Sequence, residues 1–313
     1  MGSSLSKRSF LSLSDFTPDE IRYLIDLAHE VKRQRRSGAR HQRFAGLTLA
    51  MIYEKPSTRT RCAFETAFAE EGGHPVFLSL DDIQLGTKET IEDTARVLGR
   101  MFDAVQFRGY KQQTVETLAN CSGVPVYNGL TDDYHPTQIL ADLMTIEEHF
   151  GRLNGVKLCF CGDGRNNVAR SLSVGCAKMG LDLTIAAPPQ LAPTERIRAS
   201  SAEEAKSHGG SFRVTEEVEF AVKNADVVYT DVWASMGEEG LLAERERLLL
   251  PYQVNQRLME STGKSSTIFL HCLPAVRGRE VTAEVIDGPQ SLVWEQAENR
   301  KHTIKALMLA TLS

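Results

Sequence analysis

The stretch LTLAMIYEKPSTRTRCAFETAFAEEGGHPVFLSL (residues 47–80) contains the repeating unit from which the fold follows. It opens on an apolar run, LTLAMIYE (47–54), which predicts a buried strand, and it closes on a second run, VFLSL (76–80). The apolar residues between the two runs recur at the spacing of one helix face: Ala63, Phe64, Ala67 and Phe68. A strand, a helix and a second strand in this order predict a parallel sheet covered by helices.

The alternation of strands and helices continues along the chain and then restarts. In the first half, ETIEDTARVLGRMF (89–102) predicts a helix and AVQFR (104–108) predicts a strand. In the second half, four apolar runs predict strands: 156–162, 181–188, 225–232 and 266–274. Further helices are predicted over 165–180, around 194–208 and over 299–312. Ahead of the first strand, Thr17 and Glu20 flank Pro18 in the pattern of a capping box, which predicts a helix that begins at Pro18.

The restart divides the chain into two α/β domains, each with a doubly wound, mostly parallel sheet. We predict a first domain over residues 1–135, with the C-terminal helix 297–313 packing back on it, and a second domain over 151–290. The amphipathic stretch 136–150 is predicted to be the helix that links them. At 313 residues the chain has the length for two hydrophobic cores.

The composition excludes several classes of protein. Hydrophobic residues make up 42% and charged residues 25% of the chain, the balance of an ordinary globular protein. The net charge of −5 argues against a nucleic-acid partner. We therefore interpret the basic run KRQRRSGAR (32–40) as the solvated end of a helix. No apolar stretch approaches the ~20 residues that span a bilayer, so no membrane association is expected.

The cysteines indicate the compartment and argue against a metal site. The six cysteines form neither a CxxC pair nor a zinc spacing, so we predict no bound metal. Cys159 and Cys161 lie in a predicted strand, where small buried thiols are expected. Unpaired cysteines without a signal-peptide pattern predict a reducing, cytoplasmic location.

The STRTR sequence predicts an anion site. It follows a strand and begins a helix, and the N-terminus of a helix presents unpaired backbone N–H groups and a partial positive charge. Hydroxyls at Ser57, Thr58 and Thr60 add donors, and Arg59 or Arg61 adds the planar fork that suits phosphate oxygens. The alternative is a capped helix start with solvated arginines. The stretch lacks the glycine spacing of a loop that binds the phosphates of a nucleoside triphosphate.

Two further stretches supply candidates for the same ligand. Arg108 ends a predicted strand, and open α/β sheets bind ligands at the carboxyl ends of their strands. HPTQ (135–138) begins a helix from which His135 and Gln138 could point back to the ligand, although a histidine in this position is often structural.

The second half contains candidates for a polar, cationic ligand. CGDGRNNVA (161–169) lacks the third glycine of the dinucleotide fingerprint, and no acidic residue follows its next strand, so it is interpreted as a tight turn that presents Asn167. Asp231 could bind an amine; the alternative is a surface loop around a buried Trp233. Cys272 ends another strand, but His271 beside it points to the opposite face, so a Cys–His dyad is not predicted.

Taken in order, the motifs STRT, HPTQ, GDGRNN, DVWASMG and HCLP resemble the aspartate/ornithine transcarbamylase family. The resemblance covers essentially the whole chain and ends with AENRKHTIKALM (297–308). Each motif alone is weak evidence, whereas the ordered set is highly specific. It implies a homotrimer, or an assembly of trimers, with active sites shared between subunits.

The resemblance implies that the first domain binds carbamoyl phosphate and that the second binds L-ornithine. The expected reaction transfers the carbamoyl group to the δ-amine of ornithine and yields L-citrulline and phosphate, without a metal or an organic cofactor. By match to the motifs, the residues that bind carbamoyl phosphate are Ser57, Thr58, Arg59, Thr60, Gln84, Arg108, His135, Gln138, Leu273 and Arg300. Gln84 is expected to come from a neighbouring subunit.

The same match implies an ornithine site made of Asn167, Asp231, Ser235 and Met236. The catalytic residues are expected to be Arg108, His135, Asp231 and Cys272. The alternative acceptors are putrescine and N-acetylornithine, while the acids that follow the SMG sequence disfavour aspartate. Outside this family, a non-catalytic anion-binding module and a nicotinamide-dependent oxidoreductase are the competing hypotheses.

Overall fold

The structure, a computed structural model, describes residues 5–79, 83, 85–86, 88–234 and 237–312. It divides into two compact units: unit 1 is Met1–Met144 with Asn299–Ser313, and unit 2 is Thr145–Glu298. Each unit is built on one parallel sheet with helices, so the predicted fold class is confirmed. The final helix belongs to unit 1 from Asn299 onward.

The strands are β1 (Thr48–Tyr53), β2 (His74–Ser79), β3 (Ala104–Arg108), β4 (Val126–Leu130), β5 (Lys157–Cys161), β6 (Asp182–Ala186), β7 (Ser211–Thr215), β8 (Val227–Thr230) and β9 (Ile268–His271). The helices are α1 (Pro18–Arg36), α2 (Thr58–Ala69), α3 (Ile91–Met101), α4 (Gln112–Ser122), α5 (Pro136–Phe150), α6 (Asn167–Lys178), α7 (Glu195–Ser207), α8 (Val218–Val222), α9 (Leu242–Leu249), α10 (Gln256–Ser261), α11 (Ala283–Ile286) and α12 (Val293–Leu312).

The sheet of unit 1 has the order β2-β1-β3-β4, with every pairing parallel. Because parallel strands end at the same edge, the last residues of β1 and β3 are neighbours, and Tyr53 is in register with Arg108. One face of the sheet packs around fully buried Ile52 and Phe107. This edge places the end of β3 beside the start of α2.

The sheet of unit 2 has the order β7-β6-β5-β8-β9, again entirely parallel. Chain order reverses at β5, whose neighbours are β6 and β8. Ligands of open α/β folds bind at such a switch point, outside the carboxyl ends of the strands. Cys159 and Cys161 are fully buried in β5, as expected for small apolar thiols.

Most predicted elements are present, and β2 shows why one boundary was wrong. The predicted strand began at residue 76, whereas β2 begins at His74 and includes Pro75. Proline interrupts a sequence pattern, but an edge strand tolerates it because one side of its backbone has no partner strand. The apolar pattern therefore located the strand but not its first residues.

Helix α1 confirms its predicted start and corrects the prediction for its end. Thr17 and Glu20 form the capping box, and Pro18 is the first helical residue. The basic run 32–40 is not simply solvated, because Lys32 is 4% exposed and its Nζ donates to Asn299 Oδ1 at 2.7 Å. The partner residue lies 267 positions away, which no local pattern indicates. Among the described residues, no helix combines the length and apolar composition needed to cross a bilayer.

Candidate active site

The first turn of α2 has the backbone geometry of a capped helix N-terminus, the geometry in which proteins bind anions. Ser57 is the N-cap, and its hydroxyl accepts a hydrogen bond from the backbone N–H of Thr60 at 3.2 Å. No acidic residue lies in this first turn. The remaining N–H groups at the start of a helix carry partial positive charge and favour a negatively charged ligand.

Two guanidinium groups converge on the same turn. Arg108 Nη1 donates to Thr60 Oγ1 at 3.4 Å, and Arg300 Nη2 donates to the same oxygen at 3.3 Å. Arg108 is 6% exposed and Arg300 is 2% exposed. Two buried cations at a helix N-terminus create a strongly positive site, which is the environment that a dianionic phosphate requires.

Helix α5 orients Arg300. Arg300 Nη1 donates to Gln138 Oε1 at 2.6 Å, and its Nη2 donates to Thr137 Oγ1 at 3.2 Å. Gln138 Nε2 in turn donates to Asp142 Oδ1 at 2.8 Å, which fixes which amide atom faces the arginine. We call this group in unit 1 the donor cluster: residues 57–60, Arg108, His135, Gln138 and Arg300.

His135 lies immediately before α5 and is buried. Burial lowers the pKa of its imidazole well below the usual value, and the positive charges of Arg300, Arg108 and Arg59 lower it further. The imidazole is therefore neutral at pH 7. A neutral imidazole presents one N–H donor and one acceptor, so His135 can donate a hydrogen bond without adding a charge.

The acceptor side of the predicted site is built in unit 2 around Asp231. This buried carboxylate follows β8 and, within the described part of the chain, accepts hydrogen bonds from three groups. Cys272 Sγ donates to its Oδ1 at 3.0 Å, as does the Val232 backbone N–H at 2.8 Å. Asn166 Nδ2 donates to its Oδ2 at 3.1 Å. We call Asn166, Asp231 and Cys272 the acceptor cluster.

The environment of Asp231 disfavours its charged form. Burial raises the pKa of the carboxyl group, and the nearby Glu280 raises it further, whereas His271 and the hydrogen bonds from Cys272 and Val232 lower it. The net direction is upward. A nearby cation stabilises the ionised form of such a carboxyl group, and the ammonium group of a substrate would supply one.

A buried His–Glu pair supports the acceptor cluster and was missed by the sequence analysis. His271 Nε2 lies 3.4 Å from Glu280 Oε1, and both side chains are at most 1% exposed. His271 Nδ1 accepts from the Leu273 backbone N–H at 2.8 Å, and the Val276 N–H donates to Glu280 at 2.5 Å. The pair therefore shapes the chain on both sides of Cys272. No sequence signal connects Glu280 to this motif.

Asn166 was also missed, although a signal for it existed. The prediction was Asn167, which is the first residue of α6, whereas Asn166 is its N-cap and accepts from the Ala169 N–H at 2.7 Å. Asparagine immediately before a helix is a preferred N-cap residue. Because its amide also reaches Asp231, Asn166 joins the helix start to the acceptor cluster.

The remaining predicted residues fall into two groups. Leu273 lies in unit 2, directly after Cys272, and has a left-handed backbone conformation with φ of 58°. Gln84, Ser235 and Met236 lie outside the described residues. The structure thus brings together Thr60, Arg108, Gln138 and Arg300 in one unit, and Asp231 and Cys272 in the other.

Potential metal ligands of Asp231, His271 and Cys272 lie within 4.8 Å of one another. However, Nδ1 of His271 already accepts a backbone hydrogen bond and its Nε2 faces Glu280. The thiol of Cys272 is likewise directed at Asp231. We therefore interpret this group as a hydrogen-bond network rather than a metal centre.

Comparison with known proteins identifies the family. The carbamoyl-P binding domain of aspartate/ornithine carbamoyltransferase matches residues 8–148, and the Asp/Orn binding domain matches residues 154–311. The chain belongs to the aspartate/ornithine carbamoyltransferase family.

Individual relatives match over the full length. Ornithine carbamoyltransferases from Caldanaerobacter subterraneus and Thermotoga maritima are 64% and 65% identical over 312 residues, covering 100% of each chain. The structure of ornithine carbamoyltransferase from Pyrococcus furiosus is 47% identical, covers 99% of both chains and superposes with a TM-score of 0.96.

Proposed function

We propose that the protein transfers the carbamoyl group of carbamoyl phosphate to the δ-amine of L-ornithine and yields L-citrulline and phosphate. The observation that carries the proposal is the convergence of Arg108 and Arg300 on Thr60 at the N-terminus of α2. Membership of the carbamoyltransferase family supplies the chemical context for this anion site. Full-length relatives named ornithine carbamoyltransferase support ornithine as the acceptor.

The donor cluster binds the phosphate of carbamoyl phosphate. In this proposal the N–H groups and hydroxyls of Ser57, Thr58 and Thr60 donate to its oxygens, and Arg59 adds a guanidinium. Arg108, His135 and Gln138 hold the carbamoyl end. Arg300, which the amide of Gln138 fixes, completes the pocket beside the phosphate-binding turn, where it donates to Thr60. Gln84 from a neighbouring subunit and Leu273 complete the proposed site.

Attack on the carbamoyl carbon places negative charge on its oxygen. Arg108, the Thr60 hydroxyl and the N–H of neutral His135 stabilise this charge. The donors are held in place before the reaction, since Arg108 already contacts Thr60 and both are buried. Preorganised donors in a buried site stabilise a developing charge more than solvent does, which lowers the barrier.

The acceptor cluster binds and orients the amine. The δ-amine resembles that of lysine, with an ordinary pKa of about 10.4, so it must lose a proton before it attacks. In the proposed mechanism Asp231 receives this group together with Cys272, and the departing phosphate takes up a proton. Asn167, Ser235 and Met236 are proposed to bind the α-amino and α-carboxylate groups that distinguish ornithine from putrescine.

The test is a product assay with parallel acceptors. Purified protein is given carbamoyl phosphate with ornithine, putrescine, N-acetylornithine or aspartate, and each carbamoylated product and phosphate are quantified. We expect turnover with ornithine and none with the others. Turnover with putrescine or N-acetylornithine alone would keep the donor site and reject the acceptor assignment. Absence of turnover with every acceptor, in a folded sample, would reject the transferase function.

The proposal includes a homotrimeric assembly with shared active sites and a cytoplasmic location. Sedimentation equilibrium at micromolar concentration tests the assembly: a mass of three chains, or a multiple of three, is expected, and a stable monomer would contradict it.

Relatives from Bacillus licheniformis and Bacillus cereus, 52% and 51% identical, carry the name catabolic ornithine carbamoyltransferase. The acceptor assay applies equally to either physiological direction.

A further inference from the structure

A largely buried ion pair joins helix α9 to the turn that follows β5. Arg245 Nη1 lies 2.8 Å from Asp163 Oδ2, and the two side chains are 14% and 8% exposed. Arg245 Nη2 is also 3.7 Å from the carboxylate of the more exposed Glu238. All three residues belong to unit 2. A buried pair of this kind is expensive to break, because the residue left behind becomes a buried charge without its counterion.

Asp163 shapes the turn that delivers Asn166 to the acceptor cluster. Its Oδ1 accepts from the Arg165 backbone N–H at 2.9 Å, and its carbonyl oxygen accepts from the Asn166 N–H at 3.2 Å. Asn166 then caps α6 and donates to Asp231. The carboxylate of Asp163 is thus bound to the turn by one oxygen and to Arg245 by the other.

The charge balance of the turn depends on Arg245. Burial raises the pKa of Asp163, and the backbone N–H of Arg165 and the guanidinium of Arg245 both act against this rise. Removal of the guanidinium would leave a buried carboxylate whose main cationic partner is lost. Such a group takes up a proton or moves toward solvent, and either change disturbs the hydrogen bonds that Asp163 makes within the turn.

We propose that Arg245 is a positioning residue for the carbamoyl acceptor: its pair with Asp163 fixes the turn 162–167 so that the amide of Asn166 holds Asp231 in its reactive orientation. Arg245 acts through Asp163 and Asn166 and is not itself a ligand of the substrate. The inference rests on the proposed function, because it assigns Asp231 to the acceptor amine.

The test separates acceptor use from donor binding. Arg245→Met and Asp163→Asn are compared with Arg257→Met, which breaks the exposed pair of Arg257 with Glu219 (2.9 Å, side chains 83% and 64% exposed) in the same unit. Steady-state kinetics give kcat/KM for ornithine, and calorimetry gives the Kd for inorganic phosphate. We expect Arg245→Met to lower kcat/KM for ornithine by at least about tenfold while the phosphate Kd stays within about twofold.

Arg245→Lys keeps the charge without the fork and is expected to restore part of the loss. The control Arg257→Met is expected to match the wild-type protein in both measurements. An unchanged kcat/KM for ornithine in folded Arg245→Met would overturn the inference. An equal loss of phosphate affinity would also overturn it, since it would indicate general destabilisation.

Should Arg245→Met fail to fold, Asp163→Asn and Arg245→Lys decide the question, because both preserve the size or charge of the side chain. Wild-type kinetics in Asp163→Asn, which removes the charge that Arg245 pairs with, would again overturn the proposal, and Arg245→Lys is expected to fall between wild type and Asp163→Asn. Failure of the inference and failure of the proposed function are distinguishable: failure of the wild-type protein to form citrulline rejects that function, whereas normal wild-type turnover with unaffected variants rejects only the role of Arg245.

Discussion

Replacement of Asp231 by asparagine should separate activity from stability. The substitution preserves shape and removes the negative charge that the acceptor amine requires. Asp231 is 7% exposed, so the lost interaction is between desolvated groups. Truncating one partner of such a charge pair costs about 2–5 kcal/mol, which corresponds to a loss of about 30-fold to several thousandfold in kcat/KM for ornithine.

The expected effect on stability is much smaller than the effect on activity. Because burial raises the pKa of Asp231, the folded protein binds more protons than the unfolded chain at pH values between the ordinary and the raised pKa. Stability therefore decreases as the pH rises through this window, and ionised Asp231 destabilises the fold at pH 7. Asp231→Asn removes this effect, but its Nδ2 would take the place of the Oδ2 that accepts from Asn166 Nδ2, so that hydrogen bond is lost. The two effects oppose each other, and the free energy of unfolding should stay within about 1 kcal/mol of wild type.

Asp226 provides a matched control in the same unit. It accepts from the Lys157 N–H at 2.9 Å and from Lys264 Nζ at 2.7 Å, and although burial opposes the shift, these bonds lower its pKa. Asp226→Asn should lower the free energy of unfolding by about 1 kcal/mol and leave kcat/KM unchanged. Urea denaturation and steady-state kinetics measure both quantities. Wild-type kcat/KM for ornithine in Asp231→Asn would refute the reasoning.

Three further predictions concern unit 1. Arg300→Lys keeps a charge but loses the fork, so calorimetry should show that its Kd for inorganic phosphate increases by about tenfold or more; an unchanged Kd would contradict the donor cluster. The hydroxyl of Tyr53 is buried without a hydrogen-bond partner among the described residues, so Tyr53→Phe should raise the free energy of unfolding in urea by about 1 kcal/mol, and a decrease would indicate a bound partner. Although burial acts in the opposite direction, hydrogen bonds from Lys301 and Lys305 lower the pKa of Glu70 to about 2. The stabilisation from ionised Glu70 is complete above the ordinary pKa of 4.5 and is lost as the pH falls toward 2. Glu70→Gln should therefore reduce the free energy of unfolding at pH 7 by about 1 kcal/mol and make it depend less on pH between 4.5 and 2. A pH dependence in this range equal to that of the wild-type protein would contradict this prediction.

Local sequence signals predicted the parts of the site that local geometry determines. The start of α2 could be predicted because a strand, a hydroxyl N-cap and a helix pattern follow one another within residues 47–69. The same holds for Arg108, which is the last residue of its strand. The carboxyl ends of adjacent parallel strands lie at one edge, so a side chain at each strand end has a predictable neighbourhood.

Contacts between distant residues were predictable only through family resemblance or not at all. Arg300 and Thr60 are separated by 240 positions, and no periodicity connects them. Glu280 stands in an irregular segment and reaches His271 only because the chain folds back after β9. Asp163 and Arg245 are similarly joined by tertiary packing. Burial and pairing of charged residues depend on the whole fold, which a local pattern does not encode.

Direct observation of the transferred group tests the central claim. Carbamoyl phosphate labelled with ¹³C at the carbamoyl carbon is mixed with the protein and excess ornithine, and the label is followed by ¹³C NMR while phosphate is quantified. The account predicts that the label moves to the ureido carbon of citrulline with one phosphate released per citrulline formed. Label that ends in carbonate, or that stays in carbamoyl phosphate beyond its spontaneous decay, would contradict it.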